Sequence, residues 1–91
     1  MNKPFFSIVL PVFNYKMVWR AIRSALGQTF DDYELIIVDD GCSDGTELII
    51  AGYKDHPRVR IIRHEKRMER LISRNDGMRA ARGTWIQPLD R

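Results

Sequence analysis

Asp39 and Asp40 stand side by side at the end of an apolar run, Leu35 to Val38, and are followed at once by Gly41, Cys42, Ser43, Asp44, Gly45 and Thr46. The run is too short for a helix and does not alternate, which predicts a strand buried on both faces. The residues after it carry turn chemistry and then helix-capping chemistry, with Asp44 and Glu47 at capping-box spacing. A strand therefore delivers two carboxylates to the edge of a sheet, and in an open α/β sheet that edge is where ligands bind. One acid in such a place would read as the start of a turn; the whole string favours a site.

Other reactive side chains are sparser. Arg67, Arg70 and Arg74 recur at three and four residues, on one face of a predicted helix. For Arg67 and Arg70 a solvated face is the better reading, whereas Arg74 falls within a motif taken up below. His56 and His64 lack the paired spacing of a metal site and are expected to be exposed. Cys42 belongs to no Cys-x-x-Cys or Cys/His arrangement and reads as a loop residue, not a nucleophile.

The elements that must position these groups follow from periodicity. Phe6 to Leu10 reads as a first strand ending at Pro11, with Val12 to Tyr15 as the loop after it. Val18, Ala21, Ile22, Ala25 and Leu26 recur at helical spacing between Lys16 and Leu26, and Gly27 stops the helix. After the acidic loop come a second helix over 46–53, a third strand over 59–62 beside Arg60 and Arg63, and a third helix marked by Met68, Leu71, Ile72, Met78 and Ala81 that Gly83 closes. A fourth strand, 84–89, runs into Asp90; its Pro88, with no amide to donate, belongs at the strand end or on an unpaired edge. Trp19 and Trp85 are expected to pack against the core or to cover a partner surface. The alternation of strands and helices predicts an α/β fold, a parallel sheet of four strands covered on both faces by three helices.

Ninety-one residues bound this to one domain at most, residues 1–91. An apolar share of 44% and a charged share of 30% are those of a globular chain, and no apolar run approaches the roughly 20 residues a membrane-spanning helix needs. The amino terminus has no signal-type apolar core and the single cysteine cannot form an internal disulfide, which points to the cytosol, with the cytosolic face of a membrane as a further option for a longer protein. The net charge of +3 is modest, and its excess sits in residues 58–82, a segment that would welcome an anion. No basic stripe interleaved with aromatics is present, so nucleic acid is not the expected partner.

Ser7 to Asn14 (SIVLPVFN), Val38 to Thr46 (VDDGCSDGT), Arg74 to Gly77 (RNDG) and Leu89-Asp90, with Ala25 to Phe30 (ALGQTF) before the second strand, together resemble family 2 glycosyltransferases in order and separation. The resemblance implies the amino-terminal, nucleotide-binding half of a Rossmann-like GT-A fold, with strand order 3-2-1-4 and the nucleotide across the carboxyl ends of strands 1, 2 and 4. It implies transfer of a sugar from a nucleotide diphosphate donor, a UDP-sugar foremost, to a glycan, lipid-linked or other acceptor hydroxyl, mostly with inversion. By that likeness Pro11, Val12, Phe13 and Asn14 line the base pocket, Asp40 accepts the N–H of the base, Asp39 braces the loop, and Arg74 neutralises the donor or ties down the acidic loop.

A diphosphate leaving group gathers negative charge, which a divalent metal held by carboxylates offsets. The family supplies one, Mn²⁺ or Mg²⁺, through an Asp-x-Asp motif whose first acid is matched by Asp90; Arg91 takes the middle position and the second acid would come next. No credible catalytic base is present. The expectation is accordingly a partial domain that binds nucleotide, is inactive alone, holds no metal stably, and self-associates through exposed sheet surface. The alternative is a non-catalytic nucleotide-binding or assembly module. A dinucleotide-binding or receiver domain is disfavoured: the first loop is Pro11-Val12-Phe13-Asn14 where the former needs glycines, and the acid pair follows the second strand where the latter needs it after the first.

Overall fold

A computed structural model of the chain describes residues 4–29 and 32–89. The elements run β1 (Phe6–Val12), α1 (Val18–Leu26), β2 (Tyr33–Asp40), α2 (Thr46–Ala51), β3 (Val59–His64), α3 (Arg70–Ala80) and β4 (Trp85–Pro88). The four strands form one parallel sheet in the order β3-β2-β1-β4. The chain steps one way from β1 to β2 to β3 and then returns past both to β4. With right-handed crossovers, that reversal puts α3 on the opposite face from α1 and α2.

Strand alternation divides the core accordingly. Ile8, Leu10, Val12, Leu35 and Ile37 face α1 and α2, where they meet Val18, Ile22, Ala25 and Ile50. Val9, Ile36 and Val38 face α3, against Met78 and Ala80. Leu35 to Val38 are fully buried, as a strand covered on both sides should be.

Several boundaries differ from those the sequence predicts. β1 continues through Pro11 to Val12. The carbonyl of Val9 accepts from the Leu89 amide, and backbone groups alternate in side along a strand. The amide that Pro11 lacks therefore falls on the β4 side, past Pro88, the last paired residue of that strand. α1 begins two residues later than Lys16, and α2 ends at Ala51, before the predicted Tyr53. β3 runs on to His64, placing Arg63 opposite Asp39 and His64 opposite Asp40.

α3 starts at Arg70, preceded by Glu69 at φ 82°, so Arg67 lies in the loop before the helix and not on its face. Its apolar residues are not its buried ones: Leu71 and Ile72 are exposed, while Ser73 and Gly77 are buried. The helix sits so close to the sheet that a Cβ on Gly77 would lie 2.4 Å from Cγ1 of Val9. It ends at Ala80, with Ala81 as its cap, and not at Gly83, whose amide instead donates to Ser7 Oγ.

The Asp44–Glu47 pair does not form a standard capping box. Asp44 Oδ1 accepts from the Thr46 amide and hydroxyl, and Glu47 accepts from the Gly45 amide. Both tryptophans are substantially exposed, Trp85 the more so on edge strand β4.

A buried polar cluster at the amino ends of the strands has no counterpart in the sequence-based expectations. Glu34, 4% exposed, accepts from Ser7 Oγ at 2.6 Å, from the Arg82 amide at 2.7 Å and from Arg60 at 2.9 Å. Burial alone would raise its pKa; those three donors outweigh it and the net shift is downward.

Candidate functional site

At the opposite, carboxyl rim of the sheet, a cavity of about 190 Å³ is lined by Pro11, Val12, Phe13, Asp40, Arg67 and Arg70. Complete ligand pockets run to about 300–1,000 Å³, so this one suits one end of a ligand whose remainder extends outward. Its charged lining is two guanidinium groups and one carboxylate. Arg70 is also the first residue of α3, where backbone amides favour an anion.

The loops behind the cavity are stitched together. The Asn14 amide donates to Cys42 Sγ at 3.3 Å, the Cys42 thiol reaches the Val12 carbonyl at 3.5 Å, and the Ser43 amide donates to Asn14 Oδ1 at 2.8 Å. Asn14 sits at φ 43°, a conformation asparagine tolerates. Burial pushes the Cys42 thiol up to about 12, and the neighbouring Asp39 adds to the shift. At neutral pH it is a packed hydrogen-bonding group and not a nucleophile.

The adjacent acids point to opposite faces of β2. Asp39 lies on the α2 face, accepting from the Cys42 amide at 2.9 Å and pairing with Arg63, which also reaches the Cys42 carbonyl. Asp40 lies on the α3 face. Its Oδ1 accepts from the Met68 amide at 2.7 Å and meets His64 Nδ1 at 3.1 Å. Gly41 follows at φ 75°, and a Cβ there would stand 2.6 Å from the Arg67 amide, so the 66–67 backbone rests directly on it. The Arg67 guanidinium lies 4.3 Å from the centroid of the Phe13 ring.

Of the site residues predicted from sequence, the cavity brings together Pro11, Val12, Phe13 and Asp40. Asn14 and Asp39 stand behind it as loop ties. Arg74 does not line it; its Nε is buried without a hydrogen-bond partner among the described residues. Asp90 lies outside the described residues. Arg67 and Arg70, read from sequence as solvated, are indeed exposed and also form a wall of the cavity. The excess of arginines just after β3 was the signal for them, and the misplaced start of α3 obscured it.

His64 is also not exposed as predicted. Its side chain is 14% accessible, and Nε2 lies 2.8 Å from Asp76 Oδ2. Continuing the β3 alternation past Ile62 would have put it opposite Asp40. His56 is half-buried, its Nδ1 accepting from the Arg58 amide.

The described residues do not fit a divalent metal. They contain no group of three or more His, Cys, Asp or Glu able to hold one, and Asp39 and Asp40 are engaged as above.

A parallel sheet in this order, with one carboxylate and a basic loop around a cavity at its carboxyl rim, is an α/β arrangement of the GT-A type. Residues 7–91 match the family model for glycosyl transferase family 2, and the chain belongs to that family. It is 40% identical over 89 residues to chondroitin synthase of Escherichia coli, covering 96% of this chain and 13% of that protein. To the succinoglycan biosynthesis protein ExoO of Rhizobium meliloti it is 44% identical over 71 residues, 78% of this chain and 20% of that one. The fold matches S. aureus TarS in complex with UDP at a TM-score of 0.85 and 23% identity, over 94% of this chain and 27% of that one. It also matches the mannosyltransferase PcManGT of Pyrobaculum calidifontis, solved with GDP-Man and Mn²⁺, at a TM-score of 0.75 and 19% identity, over 88% and 25% of the two chains. The chain thus spans about a quarter or less of these proteins. No helix among the described residues is long and apolar enough to cross a membrane.

Proposed function

We propose that the rim cavity takes the base end of a nucleoside diphosphate sugar, a UDP-sugar foremost, as the donor site of a glycosyltransferase that builds a glycan or polysaccharide. The observation that carries this reading is the lining itself. Phe13 offers an aromatic face, Asp40 is an acceptor-only group on the floor, and Arg67 and Arg70 stand where a diphosphate would leave the cavity. The chondroitin and succinoglycan relatives and the UDP-bound neighbour support it.

The donor's sugar passes to an acceptor hydroxyl with inversion in the longer protein, assisted by a divalent metal and a base that the described residues do not supply. The 91 residues bind nucleotide without transferring sugar. Calorimetric titration with UDP, with and without Mn²⁺, tests this. Saturable binding that Asp40→Ala weakens by about tenfold or more supports the reading, since a hydrogen bond to a charged group is worth roughly 1.5–3 kcal/mol. No binding by either protein overturns it in favour of a non-catalytic assembly module.

A further inference from the structure

His64 stands between two carboxylates, with Nδ1 3.1 Å from Asp40 Oδ1 and Nε2 2.8 Å from Asp76 Oδ2. An ionised carboxylate only accepts hydrogen bonds, and a neutral imidazole has one N–H to give. Both contacts can be hydrogen bonds only when His64 is an imidazolium. Asp76 comes from α3 and Asp40 from β2, so the ring bolts the helix to the strand that carries the cavity's only acid among the described residues.

The geometry assigns His64 and Asp76 as positioning residues for Asp40: the imidazolium, oriented by Asp76, holds Oδ1 of Asp40 so that its other oxygen is presented to the donor's base. This deepens the nucleotide reading of the same cavity and rests on it. Met68 donates its amide to that same Oδ1, so two donors converge on one oxygen and leave Oδ2 uncommitted among the described residues. The consequence is a donor site whose affinity falls with rising pH, as His64 loses a proton and releases one of its two acids.

The groups that set where this happens can be named. Asp40 faces the ring from β2. From α3 come Asp76, backed by Arg79 at 3.6 Å, and the Ser73 hydroxyl at 3.4 Å from Nδ1. Arg67 and Arg70 line the same cavity as Asp40, and Arg63 is turned to the other face of the sheet, on Asp39. Burial disfavours the charged ring, but the two carboxylates outweigh it and the pKa is raised.

Two readouts on the 91-residue chain test the assignment. The first needs no nucleotide: NMR titration of the two histidine rings should show His64 titrating above 6.5 with both nitrogens protonated at pH 6, and Asp76→Asn should lower that pKa. The second is UDP affinity across pH 5.5–9. The wild type should weaken as His64 deprotonates, while Asp76→Asn and His64→Gln should bind about fivefold to tenfold more weakly at pH 6 and lose most of the pH dependence. Asp76 is a third exposed on a helix surface, so Asp76→Asn folds even if His64→Gln does not. An unshifted His64, or UDP affinity in Asp76→Asn equal to wild type at every pH, overturns the positioning role and leaves the nucleotide reading standing. No UDP binding by the wild type at any pH overturns the nucleotide reading, and the role assigned to this pair falls with it.

Discussion

At the residue scale, the charged side chains of this chain are sorted by which end of the sheet they serve. Glu34, buried at the amino rim, and His64, half-buried at the carboxyl rim, are both ionisable groups held by named partners, and their effects on stability have opposite signs. The pKa of Glu34 is lowered from 4.5, so its contribution is present above that pH and is lost as pH falls through the lower folded value. The pKa of His64 is raised from 6.5, so its contribution is complete below that pH and is lost as pH rises through the higher folded value. Together they should give a stability plateau between about pH 4.5 and 6.5 that erodes on both sides. Urea denaturation across pH checks this: Glu34→Gln should reduce the acid-side slope, to which Asp44, held low by its hydrogen bonds from Thr46, also contributes, and His64→Gln should reduce the neutral-to-alkaline slope. An unchanged slope in either variant refutes the corresponding assignment. Glu34 was not legible from sequence as a structural acid, because its neighbours in the chain are apolar and its donors lie 26 or more residues away.

At the element scale, the four strands were located but not bounded correctly: apolar runs of this length admit few other conformations, while β1 and β3 each continue two residues past the predicted end. α3 was misread because its packing depends on small residues. Leu71 and Ile72 draw the eye to a face that is in fact exposed, while the contact is made by Met78 and Ala80 together with Ser73 and Gly77, whose burial no hydropathy pattern announces. Gly77 is then the sharpest test of how α3 docks. Gly77→Ala puts a methyl into Val9 and should destabilise the chain by about 1–3 kcal/mol through overpacking, despite alanine's better helix propensity. Val9→Ala should recover part of that loss, so the two changes should be strongly non-additive in a denaturation cycle. Additive costs would show that α3 meets the sheet elsewhere. The start of the same helix was lost to sequence reasoning for a different reason. Glu69 takes a positive φ and Met68 gives its amide to Asp40, a long-range bond that local spacing cannot foretell.

At the scale of the whole molecule, both outer strands leave an edge unpaired within this sheet. β4 is exposed along its full length, and Trp85 and Ile86 stand out with Phe5 beside them. Such an edge favours pairing with another chain. Sedimentation should therefore show reversible association at tens of micromolar, reduced by Trp85→Lys; a monomer at every concentration would remove that expectation. The parallel topology with helices on both faces was legible because βα alternation and right-handed crossovers leave few arrangements for four strands, whereas the order β3-β2-β1-β4 was implied only by the resemblance to family 2 glycosyltransferases. The cavity was half legible: its acid and aromatic loop follow strands, whereas its arginine wall hangs from a loop placed by tertiary contacts. The separation of the Glu34 cluster from the rim cavity carries one more consequence. On the proposed reading of the cavity, the residues that choose the base and the Glu34 tie stand at opposite poles of the same four strands, so a designer could harden the Glu34 pole with new ion pairs or fillings while leaving the base-choosing residues untouched.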